Sequence, residues 1–421
     1  MSLKSLLISG LLLVNVGVCA APQDKLLFSV GLSYENSDNI NLSPSNKRSE
    51  NIGHTLFATE YQRQSAKLQA SFNLSADYQK YQNHTFSDQT TVSSYLSFYA
   101  TLEKQRVFWS VDNRFDRVQI NQTQLNIPTN QENTNYFTTG PKFIFIKNNK
   151  DSLDADIKYE KFYTEISNND YYGYIANVSY LRNISHTLAT GLNARYNKRN
   201  FDNKIVNSDF SRTDVTINLS KRTKLSRYGV VVGKTQLNLE NQPSNQENIF
   251  RANYQSQLGR QTNLSIDYSR ELSDFSTMFA ATIPGDSTYT DVNSATFLAS
   301  TGRFSVIRNF SNTNLRFDYT YASNDYTDNT LDLITRTSTI TLNNNIRNGM
   351  TLNLMGLYRN RGFARRGRVD LSRVYAFGIT QRFLNLYDLA FNIQYTNNGS
   401  TDSNLNYDER RIKLSGHYYF R

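Results

Sequence analysis

One pattern repeats from about residue 28 to residue 420: segments in which apolar residues alternate with polar ones, joined by connections that are alternately long and short. The last segment shows the unit. Ile412, Leu414, Gly416, Tyr418 and Phe420 interleave with Arg411, Lys413, Ser415, His417 and Tyr419. A period of two puts the two sets on opposite faces of a β-strand. Any half-buried strand does this once, so the weight falls on repetition. The alternation recurs in Phe28, Val30, Leu32 and Tyr34, in Leu68, Ala70, Phe72, Leu74, Ala76 and Tyr78, and in Leu315, Phe317, Tyr319 and Tyr321. About 20 such segments can be counted, each near the ~9–11 residues a tilted strand needs to cross a bilayer. Sequence boundaries shift by a few residues, so about 18 is the competing count.

The connections constrain the fold further. Counting back from Phe420, Asn397–Tyr407 is long and polar and Leu384–Leu386 is tight. Asn360–Asp370 is long and Asn345–Gly349 short, Ser273–Ser287 long and Gly259–Asn263 short, and the alternation continues back to Asn36–Glu50. Outer-membrane barrels have long extracellular loops and short periplasmic turns. A soluble sandwich has no reason to sort its loops by parity. The expected fold is all-β: one transmembrane antiparallel up-and-down β-barrel with both ends in the periplasm.

Composition agrees once this class is considered. The chain is only 38% hydrophobic, with a mean hydropathy of -0.58, yet it holds 28 Tyr and 25 Phe. After residue 20 no run of about 18 apolar residues supports a membrane helix, whereas barrel strands need only half their residues apolar. The aromatic and β-branched content opposes disorder. Residues 1–20 read as a signal peptide, with Lys4 as its positive start, Leu6 to Val18 as its apolar core and Val18-Cys19-Ala20 as its cleavage site. Cys19 is a poor lipidation site, because Val18 stands where a small residue is wanted. Cleavage removes the only cysteine, leaving no thiol, disulfide or cysteine-based metal site. Residues 21–421 then form the barrel, with no plug domain before Phe28. A formal charge of +10 suits anionic partners such as lipopolysaccharide or acidic polysaccharide; nucleic acid does not suit an exported protein.

With the apolar face toward lipid, the alternate residues line the lumen. Early strands place Asp112, Arg114, Asp116, Asp154, Asp156, Lys158 and Glu160 there, and later strands Arg195, Arg251, Arg316, Arg411 and Lys413. Two readings stay open: a pore whose acidic and basic walls orient a solute, or charges that pair across strands and fill the lumen. Arg359, Arg361, Arg365, Arg366 and Arg368 cluster around Gly362 and Gly367 in an expected extracellular loop. Guanidinium forks there could hold phosphate or carboxylate, or the loop could simply be solvated. Tyr171, Tyr172, Tyr174, Tyr418 and Tyr419 read as an interfacial girdle. Asp325, Asp328 and Asp332 lack the glycine-centred spacing of a calcium loop. His54, His84, His186 and His417 are scattered, with no HExxH pair and no GxSxG elbow. No catalytic residue, metal site or cofactor is expected.

The stretch GLSYENSDNINLSPSNKRSE, from Gly31, resembles a known family. Gly31 and Tyr34 on the first strand, then Asn39, Asn41, Leu42 and Pro44, are similar to the opening of β-barrel porin 2 type outer-membrane proteins. That family includes members encoded with exopolysaccharide and exosortase/PEP-CTERM loci. The resemblance implies a non-enzymatic barrel assisting polysaccharide export. Its partners would be outer-membrane lipids and lipopolysaccharide, the barrel-assembly machinery, and anionic polysaccharide or small solutes. A general diffusion porin and a barrel hydrolase are the alternatives.

Overall fold

The computed structural model describes residues 24–121, 123–204, 207–240, 244–274, 277, 296–326, 332–364 and 367–420. The expected signal peptide, Asp328, Arg365, Arg366 and Arg421 lie outside the described residues. The strands are β1 (Lys25–Ser37), β2 (Glu50–Gln64), β3 (Leu68–Tyr81), β4 (Gln89–Glu103), β5 (Val107–Gln119), β6 (Gln131–Lys147) and β7 (Asp151–Thr164). Next come β8 (Tyr171–Asn183), β9 (Leu188–Phe201), β10 (Phe210–Arg222), β11 (Ser226–Leu239), β12 (Asn245–Gln257), β13 (Thr262–Ser273) and β14 (Phe297–Asn309). The series ends with β15 (Thr313–Tyr326), β16 (Leu333–Arg347), β17 (Met350–Phe363), β18 (Arg368–Phe383), β19 (Tyr387–Ser400) and β20 (Tyr407–Phe420).

Each strand pairs antiparallel with its sequence neighbours in one 20-stranded sheet, and β1 pairs with β20, from Phe28↔Phe420 to Ser37↔Arg411. That seam closes the barrel, so no strand edge is left without partners in hydrocarbon.

The register sorts the faces. Val30 stands opposite Phe57 on one side and Tyr418 on the other, and all three are exposed on the outside. Leu32, Ile217, Val232 and Leu354 share that outer surface, a band of exposed apolar side chains that water would not tolerate and lipid does. The shorter connections carry tight turns, as in Leu384–Leu386, where Leu384 and Asn385 take the positive φ of a primed hairpin turn. The longer connection after β1 folds back on the barrel. After β1, Asn39 is fully buried and bonds Ser43 and the Asp408 carbonyl, while Ile40 packs with Ile52, Tyr81 and Phe86. The Asn-rich family-like stretch is thus an extracellular loop locked to the rim.

Gly31, which opens that stretch, has a packing reason. A Cβ there would stand 2.2 Å from the His417 ring across the seam, and His417 is held by Asp388 at 3.0 Å.

One expected loop is not a loop. β17 runs through Phe363 and β18 starts at Arg368, with Phe363 opposite Arg368 in register and Gly367 at φ +60 just before it. The alternation of Tyr358, Arg359, Asn360 and Arg361 continues the strand; arginine content, not a loss of period, suggested a loop.

Ile217 faces lipid near the middle of β10, whereas Asn263 faces the interior of β13. Ile217→Arg should lower folding stability in lipid vesicles by about 2–4 kcal/mol, while Asn263→Arg should change it by no more than about 0.5 kcal/mol. Urea titrations read by tryptophan emission measure both, and equal effects would contradict this register.

Candidate functional site

The polar parity of these strands points inward, and charged side chains of the described residues converge in the interior. Asp112, Arg114 and Asp116 lie on β5, Asp154, Asp156, Lys158 and Glu160 on β7, Arg195 on β9, Arg251 on β12, Arg316 on β15, and Arg411 and Lys413 on β20. All sit on the face opposite the lipid-facing residues.

Most are paired with one another or with neighbours. Lys158 meets Asp112 at 3.3 Å, Lys142 meets Asp154 at 2.9 Å, and Arg114 meets Asp116 at 3.4 Å. Arg212 meets Asp214 at 2.8 Å, Arg316 meets Asp318 at 2.5 Å, and Arg251 donates to Glu271 through Nε and Nη2. At the seam Arg411 contacts Glu35 at 3.2 Å and Glu409 at 2.8 Å, with Lys413 3.6 Å from Glu35. Some of these pairs join different strands, as Lys158 with Asp112 and Arg251 with Glu271, and others join residues two apart on one strand, as Arg114 with Asp116 and Arg316 with Asp318. A polar cavity of ≈ 490 Å³ remains at mid-lumen, lined among others by Asp112, Asp156, Lys158, Arg195, Asp214 and Arg251.

Toward the extracellular strand ends, one side of the lumen is packed. Val118, Phe162, Tyr171, Phe201, Phe210, Leu237 and Leu272 form a buried apolar cluster. Arg199 stands within it at 1% exposure, bonding Glu160 at 2.8 Å and Asp274 at 2.6 Å and lying 4.7 Å over the Tyr171 ring. Such a burial is tolerable only because two carboxylates and the aromatic faces replace water. The connection after β5 also crosses the mouth: Arg368 donates to the Thr123 carbonyl at 2.8 Å while bonding Asp370 at 2.9 Å and covering Phe363.

Several placements differ from the sequence expectation. Arg359 and Arg361 lie on the interior parity of β17 and Arg368 is buried, so these three do not form an exposed anion-binding loop. Tyr171 and Tyr419 point inward, Tyr171 into the apolar cluster and Tyr419 to Asp388 at 2.6 Å; Tyr172, Tyr174 and Tyr418 stay outside. Adjacent residues of a strand cannot share a face. Arg199, Glu35 and Asp77 are not singled out by the sequence reading, which treats His54 only as one of four scattered histidines. His54 bonds Asp77 at 3.0 Å and lies 3.6 Å from Glu35. Extending the Arg195 parity by two steps reaches Arg199, which lies in the polar stretch Lys198–Ser208 that the alternation of long and short connections assigns to a long loop. Asp332 caps the Tyr326 amide at 2.9 Å.

Outside the membrane-spanning strands, Lys204 and Asp209 pair at 2.9 Å in the loop between β9 and β10. Partial burial pushes the Asp209 carboxyl up, but Lys204 and the Phe201 amide N–H outweigh it and hold it below the usual range.

Closure of the sheet, its apolar outer belt and its inward charges define a transmembrane β-barrel of the Gram-negative outer membrane, porin-like in build. No protein-family model and no curated protein sequence matches the chain. Solved structures do match in fold. The ferric enterobactin receptor PfeA of Pseudomonas aeruginosa is similar at 8% identity, over 95% of this chain and 81% of that one, with a TM-score of 0.51. The FrpB iron transporter from Neisseria meningitidis matches at 8% identity over 93% of this chain and 82% of that chain (TM-score 0.46). OccAB4 of Acinetobacter baumannii matches at 10% identity over 94% and 98% (TM-score 0.41).

Arg199→Ala would strand the buried Glu160 and Asp274 carboxylates, and a loss of about 3–5 kcal/mol of unfolding free energy is expected. Arg251→Ala, at a water-exposed pair, should lose no more than about 1 kcal/mol. Parallel denaturant titrations decide; a smaller loss at Arg199 than at Arg251 would contradict the buried ionic centre.

Proposed function

We propose that this chain is a non-enzymatic, porin-like barrel that serves export of an anionic extracellular polysaccharide, and that its own loops hold its extracellular mouth nearly shut at rest. The carrying observation is the arrangement of the lumen: a polar, charge-paired cavity beneath an apolar and ionic cap, with Thr123 latched to Arg368 across the β1–β20 seam. The polysaccharide role is supported by the family resemblance of Gly31 to Pro44. Mouth packing disfavours a general diffusion porin, which needs a standing aqueous path. Lipopolysaccharide as a partner is supported by Lys161, Lys198, Lys234 and Arg270, on the outer parity toward the extracellular strand ends beside Tyr172 and Tyr174.

Planar-bilayer recordings test the resting state. Wild-type barrels should conduct rarely. Arg368→Ala removes a charge-assisted hydrogen bond worth about 1.5–3 kcal/mol, so opening should rise by about tenfold or more. A large, constant wild-type conductance would contradict the shut mouth. Unchanged secreted polysaccharide after gene deletion would remove the export role.

A further inference from the structure

Many interior cations of the described residues pair with carboxylates, but at one turn a group of them does not. The turn from β10 to β11 carries Lys221, Arg222, Lys224 and Arg227 within one short stretch at the end of the barrel opposite the packed mouth. Arg222 and Arg227 face each other in register, one step from the outward pair of Lys221 and Tyr228, so both sit on the interior face. Beside them is a cavity of ≈ 360 Å³, lined by Arg222, Lys224 and Arg227 and by the amide and hydroxyl groups of Gln255, Asn263 and Ser265. No Asp or Glu is among its lining residues. Asp267, the interior carboxylate next along β13, already accepts from Ser265 at 2.8 Å and stands opposite Arg303 in register. Among the described residues neither arginine nor Lys224 has an ion pair, in contrast to Arg199, Arg212, Arg251 and Arg411.

We propose that this turn builds an oxyanion site at the periplasmic mouth of the barrel, taking the carboxylate of an acidic sugar or sugar oligomer. Two guanidinium forks and an ammonium, left without a counter-ion beside neutral hydrogen-bond donors, supply the charge and bidentate geometry a carboxylate needs. The cavity is large enough for one sugar residue, being within the usual size of small-molecule sites. Inward placement separates the site from lipid headgroups, which meet the outer parity. The site concerns a ligand met on the periplasmic side and deepens the export reading on which its biological meaning rests. Unchanged secretion after gene deletion would remove the export role and leave the binding site intact. Absent binding would do the reverse.

The test uses the full barrel in neutral detergent, titrated calorimetrically at low salt with trigalacturonate, neutral maltotriose and inorganic phosphate. Trigalacturonate should bind, weakening as salt is raised, and maltotriose should not. Arg222→Gln, Lys224→Gln and Arg227→Gln combined should weaken trigalacturonate at least about tenfold, the effect of losing about 1.4 kcal/mol. Lys104→Gln with Lys150→Gln, two cations in other periplasmic turns, should leave binding unchanged. Heat-modifiable gel migration confirms that each variant is folded. In the wild type, trigalacturonate should also slow acetylation of Lys224 more than that of Lys104, which needs no variant. Equal binding by the triple variant, equal loss in the Lys104/Lys150 control, or equal affinity for maltotriose would overturn the site. Tighter binding of phosphate than of trigalacturonate would overturn the carboxylate assignment.

Discussion

Everything in this molecule depends on the pairing of its first strand with its last. A β-strand in hydrocarbon cannot leave N–H and C=O groups unpaired, because each would cost several kcal/mol. The seam from Phe28↔Phe420 to Ser37↔Arg411 removes the only two edges the sheet would have. Side-chain detail follows from that need. Gly31 makes room for His417, and Ser37 reaches Glu409 at 2.6 Å across the same seam. Once the sheet is closed, each alternate residue must point either to lipid or to the lumen, and the period-two sequence supplies both surfaces.

The lumen then poses the opposite problem to the outside. A wall of polar residues without enough water around it must satisfy its own charges. At mid-lumen, exposed pairs such as Arg251 with Glu271 add little stability but keep the wall neutral. Toward the extracellular end the same device is buried. Arg199, Glu160 and Asp274 are enclosed by aromatic rings and form a cap that only a complete set of partners can sustain. The ends of the barrel therefore differ: one mouth is packed, apolar and neutralised, and the other presents free guanidinium groups. An export route for an anion would show such a gradient, with attraction at the entrance and a closed exit.

Much of the fold was legible in the sequence because it rests on a period. The alternation of Leu315, Phe317, Tyr319 and Tyr321 needs no tertiary knowledge to read, and the sorting of long and short connections gave sidedness. The interior parity of residues such as Asp112 and Lys158 was legible for the same reason. Their pairing was not, because register between strands decides which charges meet. Composition misled where it replaced periodicity: the arginines from 359 to 368 suggested a solvated loop, yet Arg359 and Arg361 continue the alternation of β17. Arg199 was hidden because strands extend beyond the bilayer, into stretches that polarity alone assigns to loops. The inward turn of loop residues, such as Ile40 and Thr123, has no local sequence signal at all, since their partners lie far along the chain.

The closing register can be tested directly by cysteine pairs, since Cys19 is the chain's only cysteine and precedes Lys25, where β1 begins. Ser33 and Ser415 are partners across the seam, and Tyr419 lies further along β20 on the same face. Directly opposed residues fall within the Cα separation of about 4.4–6.8 Å that a disulfide spans, and residues further along the strand do not. Under mild oxidation of the folded barrel in membranes, Ser33→Cys with Ser415→Cys is expected to form a disulfide detected by gel shift, while Ser33→Cys with Tyr419→Cys is expected to remain reduced. Preferential crosslinking of the second pair, or of neither, would contradict a barrel closed at this seam.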